Sequence, residues 1–399
     1  MKLIPYGRQS LSEEDIAAIV EVLRSDFLTC GPKVEEFERR LAARVGAKQA
    51  VVVNSATSAL HLAMRVAGLG PGMRVVTSPN TFLASANCAA FVGATPDFAD
   101  IDPVSYNLDP AALKRNWRAD TRAVVAVDYA GQPCDMPAIA RIARERGAVV
   151  IEDACHGVGG GFLHEGRLWP LGGHPWADIT TFSFHPVKTM TTGEGGALVT
   201  DNATWAEQAR RLRSHGVERQ RFVGLAADGE PAFAEHGPWY YEMQELGYNY
   251  RLTDIQCALG LSQLARLDGF IARRRQIVAS YNVAFASLPG VVTPSLRQPA
   301  NREHISWHLY TLHIDFAALG KTRTQVMTEL RQAGIGTQVL YIPVHLQPWY
   351  RQTYGYGRGK CPVAENCYQR SLSLPLYAGL SAEETEHVVV AVRNLVTKP

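Results

Sequence analysis

Two residues, a lysine and an aspartate, could carry out the most demanding chemistry this sequence offers. Lys188 lies in the stretch Ser183-Phe184-His185-Pro186-Val187-Lys188-Thr189-Met190-Thr191-Thr192-Gly193-Glu194-Gly195-Gly196. Apolar runs flank it, Asp178 to Phe184 before and Ala197 to Thr200 after, and both read as strands. The lysine therefore stands just past a strand end, where α/β proteins place ligands. Taken alone, such a residue is usually a surface lysine on a loop. Glu152-Asp153-Ala154-Cys155-His156 changes the balance, because it directly follows another apolar run, Ala148 to Ile151. Asp153 alone could as readily cap a turn. Paired with Lys188 it becomes specific. A lysine that forms a Schiff base with pyridoxal phosphate needs an acid opposite the pyridine nitrogen. An opposite charge there favours the protonated ring, which withdraws electrons when a substrate proton leaves.

A phosphate-bearing ligand also needs an anion site. Asn54-Ser55-Ala56-Thr57-Ser58 follows the short apolar strand Ala50 to Val53 and opens a helix, so free backbone N–H groups and hydroxyls face outward together. Small hydroxyl residues at a helix start often do no more than cap it. Ser183, on the lysine stretch, adds a further hydroxyl. Phe82, in Asn80-Thr81-Phe82, follows another strand and offers a ring to stack on a planar ligand or to fill a core. His156 and His185 neighbour the key pair without an assigned role. Two glycine-rich stretches fail the dinucleotide fingerprint, since Phe162 and Met73 stand where its last glycine belongs. No Walker-type phosphate loop is present either. Both observations weigh against an NAD oxidoreductase or an NTPase.

The elements that must position these residues read as an α/β chain. Strands at Ala50–Val53, Arg74–Thr77, Arg122–Asp128 and Ala148–Glu152 alternate with helices from Asn54 to about Gly68, Phe82 to Phe91 and Met136 to Arg146. Nearly continuous apolar strands imply a mostly parallel sheet buried on both faces. Two helices precede it, a polar excursion spans Val217 to Pro238, and a helical connector runs from Thr253 to Leu288. The remainder, with a strand near His308–Ile314 and helices near Thr324–Ala333 and Ala382–Val396, reads as a smaller α/β domain. At 399 residues, two domains are expected, with the division at residues 1–265 and 266–399. Forty basic against 38 acidic residues, scattered along the chain, make no electrostatic case for nucleic acid or an anionic membrane as partner. No apolar run approaches the roughly 18 residues of a membrane helix, and the first residues turn polar too soon for a signal peptide. Seven cysteines without Cys-x-x-Cys spacing fit a reducing cytoplasm and give no support for a zinc site or a disulfide framework.

The lysine stretch, Glu152 to His156 and Asn54 to Ala59 resemble the lysine motif, the E-D-A-x-H segment and the phosphate loop of the DegT/DnrJ/StrS family of sugar-nucleotide aminotransferases. Ile4 to Ser10, Arg24 to Thr29, Val127 to Gly131 and Tyr241 to Gln256 are similar to its PseC-like branch, the UDP-4-amino-4,6-dideoxy-N-acetyl-β-L-altrosamine transaminases of pseudaminic acid synthesis. The resemblance covers nearly the whole chain. It implies a fold-type I aminotransferase with a mostly parallel seven-stranded sheet and a smaller C-terminal domain, assembled as a homodimer with shared active sites. It implies that Lys188 holds the cofactor and moves the proton. Asp153 would pair with the ring nitrogen, Phe82 stack on the ring, and His156 sit by the ring oxygen. Ala56, Thr57 and Ser183 would bind the phosphate, joined by Asn249 from the other subunit. Tyr6, Asp26, Phe27, Leu28, Thr29, Gln338, Val339, Leu340 and Tyr341 match the family's UDP-sugar contacts. The implied partners are a UDP-linked 4-keto sugar and L-glutamate. Two residues depart from the branch: Cys30 where glutamine is usual, and Met190 where isoleucine is common. A sugar dehydratase would carry histidine at Lys188, and a non-catalytic relative would not need the Lys188–Asp153 pair.

Overall fold

The computed structural model describes residues 3–223 and 238–397. Two helices, α1 (Glu13–Leu23) and α2 (Pro32–Val45), lead into an alternation of strands and helices. This runs β1 (Gln49–Val53), α3 (Ala56–Val66), β2 (Arg74–Thr77), α4 (Ala84–Phe91), β3 (Thr95–Phe98), α5 (Pro110–Asn116), β4 (Thr121–Val127), α6 (Met136–Arg144) and β5 (Val149–Asp153). A hairpin of β6 (Gly161–His164) and β7 (Arg167–Pro170) precedes β8 (Ile179–Ser183), β9 (Gly196–Thr200) and α7 (Ala203–Arg213). The main sheet has seven strands in the order β1-β9-β8-β5-β4-β2-β3. Only β9 runs antiparallel to its neighbours; the other pairings are parallel.

Valine chemistry explains the sheet. Successive strand residues point to opposite faces, and here both faces are dry. Val52, Val76, Val124 and Val150 enter the core on one face, packed with Phe37, Leu41 and Phe184. Val51, Val53, Val75, Val125 and Ile151 enter the core on the other, against α3, α4 and α7. β-branched side chains lose little by being held extended and pack well on a pleated surface. The sequence does not signal β3, because Pro96 interrupts it. A residue without an N–H donor is tolerated there since β3 is an edge strand, paired only with β2.

Strand direction decides where the chemistry collects. β1, β8, β5, β4 and β2 all end on the same edge of the sheet, and β9 begins there. Val53 and Ser183 both pair with Gly196, and Asp153 pairs with Thr181 on β8. Asp153 is the last residue of β5 rather than the first beyond it, since Val127 of β4 pairs with it and extends the ladder by one residue. The helix expected from Phe82 begins at Ala84, because Phe82 and Leu83 form a tighter turn with bonds from Ser85 N and Ala86 N at 3.4 and 3.1 Å.

The rest of the chain builds a second core. β10 (Val217–Glu218) pairs with β11 (Glu242–Met243), within and beyond the polar excursion, of which residues 224–237 lie outside the described residues. Then come α8 (Asp254–Ala265), α9 (Leu267–Phe285), β12 (Val291–Val292), β13 (Tyr310–Ile314), α10 (Arg323–Gln332), α11 (Pro348–Tyr354), α12 (Pro362–Arg370), β14 (Ser371–Leu374) and α13 (Ala382–Thr397). Thr253 and Gln256 form a capping box that starts α8. The three-stranded sheet β12-β13-β14 packs Tyr310, Leu312 and Leu372 against Ile277, Tyr281 and Phe285 of α9 and Val388 of α13. Ile4 bridges to Ile335, and Leu376 N donates to Tyr6 O at 3.0 Å, which lays the N-terminal segment across this part. Among the described residues no helix is long and apolar enough to cross a membrane.

Candidate active site

A cavity of about 410 Å³ opens at the carboxyl edge of the main sheet. Asp153 and Lys188 both line it, though 35 positions separate them in the chain (188 − 153). Asp153 is 4% exposed. Its Oδ2 accepts a hydrogen bond from Ser85 Oγ at 2.6 Å and its Oδ1 one from Cys155 N at 3.2 Å. Among the described residues it forms no ion pair. Lys188 acts on it at longer range than an ion pair, so a buried carboxylate held by neutral donors suits a ligand that brings a positive charge into direct contact. A pyridinium nitrogen is such a charge.

Lys188 sits in the turn after β8, with its N–H donating to His185 O at 2.9 Å. Among the described residues its Nζ has no hydrogen bond or ion pair. Burial lowers its pKa, with Arg274 adding to the effect and Cys155 and Asp153 opposing it. Desolvation penalises the ammonium form, so the amine is drawn toward the neutral state in which it is a nucleophile.

The anion end is built by α3. Ser55 is its N-cap, and its Oγ accepts from Ser58 N at 3.1 Å. Ala56 and Thr57, the first helical residues, line the cavity, and the first N–H groups of a helix have no partner within it. Ser183 reaches the same space from the end of β8. A Cβ added to Gly196 would lie 2.4 Å from Ala56 N, so β9 passes directly against the helix start. Only glycine permits that approach. The residues present therefore fit pyridoxal phosphate at both ends.

One wall pairs a histidine with a tyrosine. His156 Nδ1 accepts from Ala130 N at 3.2 Å, and its Nε2 lies 3.2 Å from Tyr341 Oη. Burial, helped by the Lys188 charge, keeps His156 neutral. A neutral ring that accepts at Nδ1 carries its proton on Nε2, so His156 donates to Tyr341. Burial also raises the Tyr341 pKa. The phenol keeps its proton, which is left to point elsewhere.

The cavity brings together ten of the expected residues: Lys188, Asp153, His156, Ser183, Ala56, Thr57, Phe82, Tyr6, Leu340 and Tyr341. Seven others lie outside it within one chain. Asp26, Phe27 and Leu28 are exposed, Thr29 bridges to Thr253, Gln338 bridges to Ser373 with Val339 beside it, and Asn249 bridges to Ser214. Thr81, Ser85, Cys155 and His308 also line the cavity and were not singled out from the sequence as ligands. Ser85, a polar residue in the first turn of α4, and Thr81, just before it, carry a faint signal; His308 carries none.

The comparisons with known proteins bear on this geometry. The model of the DegT/DnrJ/EryC1/StrS aminotransferase family matches residues 9–393. The chain belongs to this family. The spore coat polysaccharide biosynthesis protein SpsC of Bacillus subtilis (strain 168) is 41% identical over 394 residues, covering 98% of this chain and 97% of that protein. Helicobacter pylori PseC, an aminotransferase of pseudaminic acid biosynthesis, has a similar structure with a TM-score of 0.88, 30% identity and 99% of both chains covered. The sugar aminotransferase Spr1654 of Streptococcus pneumoniae, solved in its PLP form, gives a TM-score of 0.87 at 29% identity, again over 99% of both chains. The fold is that of the fold-type I aminotransferases, and this family member is a pyridoxal-phosphate-dependent sugar aminotransferase.

Proposed function

We propose that the chain moves the amino group of L-glutamate to C4 of a UDP-linked 4-keto-6-deoxy-N-acetylhexosamine, UDP-2-acetamido-2,6-dideoxy-β-L-arabino-hex-4-ulose, in synthesis of a pseudaminic-acid-type sugar. The observation that carries the chemistry is Asp153, a buried carboxylate with no ion pair among the described residues, in one cavity with a Lys188 whose amine is drawn toward neutrality. Likeness to PseC over 99% of the chain supports this sugar. The higher identity to SpsC favours a second reading, in which the same chemistry serves another nucleotide-linked 4-keto sugar of the bacillosamine or perosamine type.

When bound, pyridoxal phosphate supplies an aldehyde that accepts the amino group and a ring that withdraws electrons from the reacting carbon. Lys188 Nζ would hold the cofactor and would move the proton at the donor's Cα and at C4 of the sugar. Asp153 holds the proton on the ring nitrogen. The N–H groups of Ala56 and Thr57 and the Ser183 hydroxyl bind the phosphate, and Phe82 covers the ring. His156 orients the Tyr341 hydroxyl. Tyr6, Leu340 and Tyr341 bind the UDP-sugar together with Asp26 to Thr29, Gln338 and Val339, which complete the site when two copies associate. Asn249 of the partner subunit joins the phosphate site. Phe82, 57% exposed in one chain, and Phe27, at 54%, support a homodimer that covers them. The working unit is a cytoplasmic dimer whose chains divide at residues 1–265 and 266–399.

NMR of the product formed from L-glutamate and UDP-2-acetamido-2,6-dideoxy-β-L-arabino-hex-4-ulose tests the reading. An amine at C4 with the pseudaminic-branch configuration is expected. No product from this ketone, with turnover of a different 4-keto sugar, would leave the second reading standing. Failure of borohydride to fix pyridoxal phosphate to Lys188 would end both.

A further inference from the structure

Arg274 of α9 is 1% exposed, and among the described residues no carboxylate pairs with it. Its guanidinium is instead ringed by backbone carbonyls. Nη1 donates to Leu376 O at 2.8 Å and approaches His308 O at 3.3 Å and Trp307 O at 3.4 Å. Nη2 reaches Lys188 O at 3.4 Å. These acceptors belong to three separate segments: the lysine turn after β8, the approach to β13, and the chain beyond β14. A buried cation without a counter-charge is costly to desolvate and is a poor source of stability. What the planar fork provides is geometry, since it can hold several acceptors in fixed relation where a lysine's point charge cannot.

We infer that Arg274 is a positioning residue of the active site, fixing the main chain of Lys188 against that of His308 so that both side chains meet in the cavity. The inference rests on Lys188 being the reactive amine. It has a second consequence through charge. Lys188 is faced by Asp153 and Cys155 from β5 and the turn after it, by His156 from that same turn, by His308 from the approach to β13, and by Arg274 from α9. Asp153 and Cys155 favour its ammonium form, whereas Arg274 opposes it from behind. Burial brings the Arg274 pKa down to about 10, which leaves the guanidinium charged at neutral pH.

Arg274→Lys and Arg274→Met separate geometry from charge. Cofactor uptake by the wild type is read first: no uptake overturns the aminotransferase reading itself. With uptake normal, Arg274→Lys is expected to lower kcat about tenfold or more while the sugar KM stays within about threefold. In the cofactor-free protein, labelling of Lys188 by an amine-reactive reagent is followed against pH by peptide mass spectrometry. Arg274→Met is expected to move its midpoint up and Arg274→Lys to leave it in place. A kcat for Arg274→Lys within twofold of wild type overturns the positioning role. If Arg274→Met does not fold, Arg274→Lys alone decides.

Discussion

Ser85→Ala strikes the site at its least visible support. Ser85 is 1% exposed and lies between Thr81 Oγ1 at 2.7 Å and Asp153 Oδ2 at 2.6 Å. An ionised carboxylate can only accept, so the Ser85 proton belongs to Asp153 and the Ser85 oxygen must take its bond from Thr81. The substitution removes a hydrogen bond to a charged group, about 1.5–3 kcal/mol, and strands the buried Thr81 hydroxyl for about 1 kcal/mol more. Urea unfolding of the cofactor-free protein should therefore show a loss of about 2.5–4 kcal/mol. Thr81→Ala alone removes one neutral bond, about 1 kcal/mol. The double variant should cost less than the two singles summed, by about 1 kcal/mol, because no stranded hydroxyl remains. If the weakened hold on Asp153 is felt in the transition state, kcat for the glutamate half-reaction drops about tenfold with little change in KM. A cost under about 0.5 kcal/mol, or strict additivity of the pair, would show that the Thr81–Ser85–Asp153 relay does not exist.

Three further outcomes follow from the same geometry. Lys188→Ala should show no borohydride-fixed adduct with pyridoxal phosphate and lose amino transfer by several orders of magnitude, whereas retained turnover would remove Lys188 from the mechanism. Gly196→Ala places a Cβ 2.5 Å from Ser55 C and 2.4 Å from Ala56 N, so either β9 or the start of α3 must shift; about 1–3 kcal/mol of stability and at least tenfold in cofactor affinity should be lost, read by unfolding and by titration of cofactor absorbance. Burial raises the Asp128 pKa well above the carboxylate range, with Glu152 and Asp153 adding to it. The native state then keeps a proton that the unfolded chain releases near pH 4, so this residue costs stability as pH rises from about 4 toward its folded pKa; Asp128→Asn should gain on wild type in urea midpoints as pH rises above about 4, and a pH-independent difference would refute the assignment.

Lys188, Asp153 and Ser183 are legible in the sequence because a parallel sheet turns one-dimensional information into position: a residue at a strand's carboxyl end has few places to go. Ala56 and Thr57 are legible for a similar reason, since a helix start after a strand points its free amides the same way. Ser85 is not legible, because its partner lies 68 positions away, and neither is the His156–Tyr341 contact across 185 positions. Nothing local requires either pairing. β3 escapes notice because Pro96 argues against a strand except at an edge, and edge position is a property of the assembled sheet. The resemblance assigned Asn249 to the other subunit and named Asp26 to Thr29 as sugar contacts, and all five lie outside the cavity of a single chain. Within one chain nothing brings these residues to the cavity, and no local pattern in the sequence encodes where they go.

The electrostatics under the cavity show why one acid among several serves it. Asp128, Glu152 and Asp153 sit at the ends of adjacent strands, all buried. Glu152 and Asp153 are neighbours in one strand and so face opposite sides of the sheet. Glu152 is spent on the far side, accepting from Thr180 Oγ1 at 2.9 Å and Gly172 N at 3.2 Å, with His174 Nε2 2.8 Å from its Oε1. Asp128 has Oδ1 held by Cys134 N at 2.8 Å, while its Oδ2 has no partner among the described residues, and burial, with Glu152 and Asp153 nearby, raises its pKa. That leaves Asp153 as the acid presented to the cavity floor. Three ionised carboxylates so close would repel one another and raise the cost of keeping Asp153 charged. Strand alternation turns one of them away and burial disfavours the charge of another, so Asp153 is the acid that meets whatever cation the ligand brings.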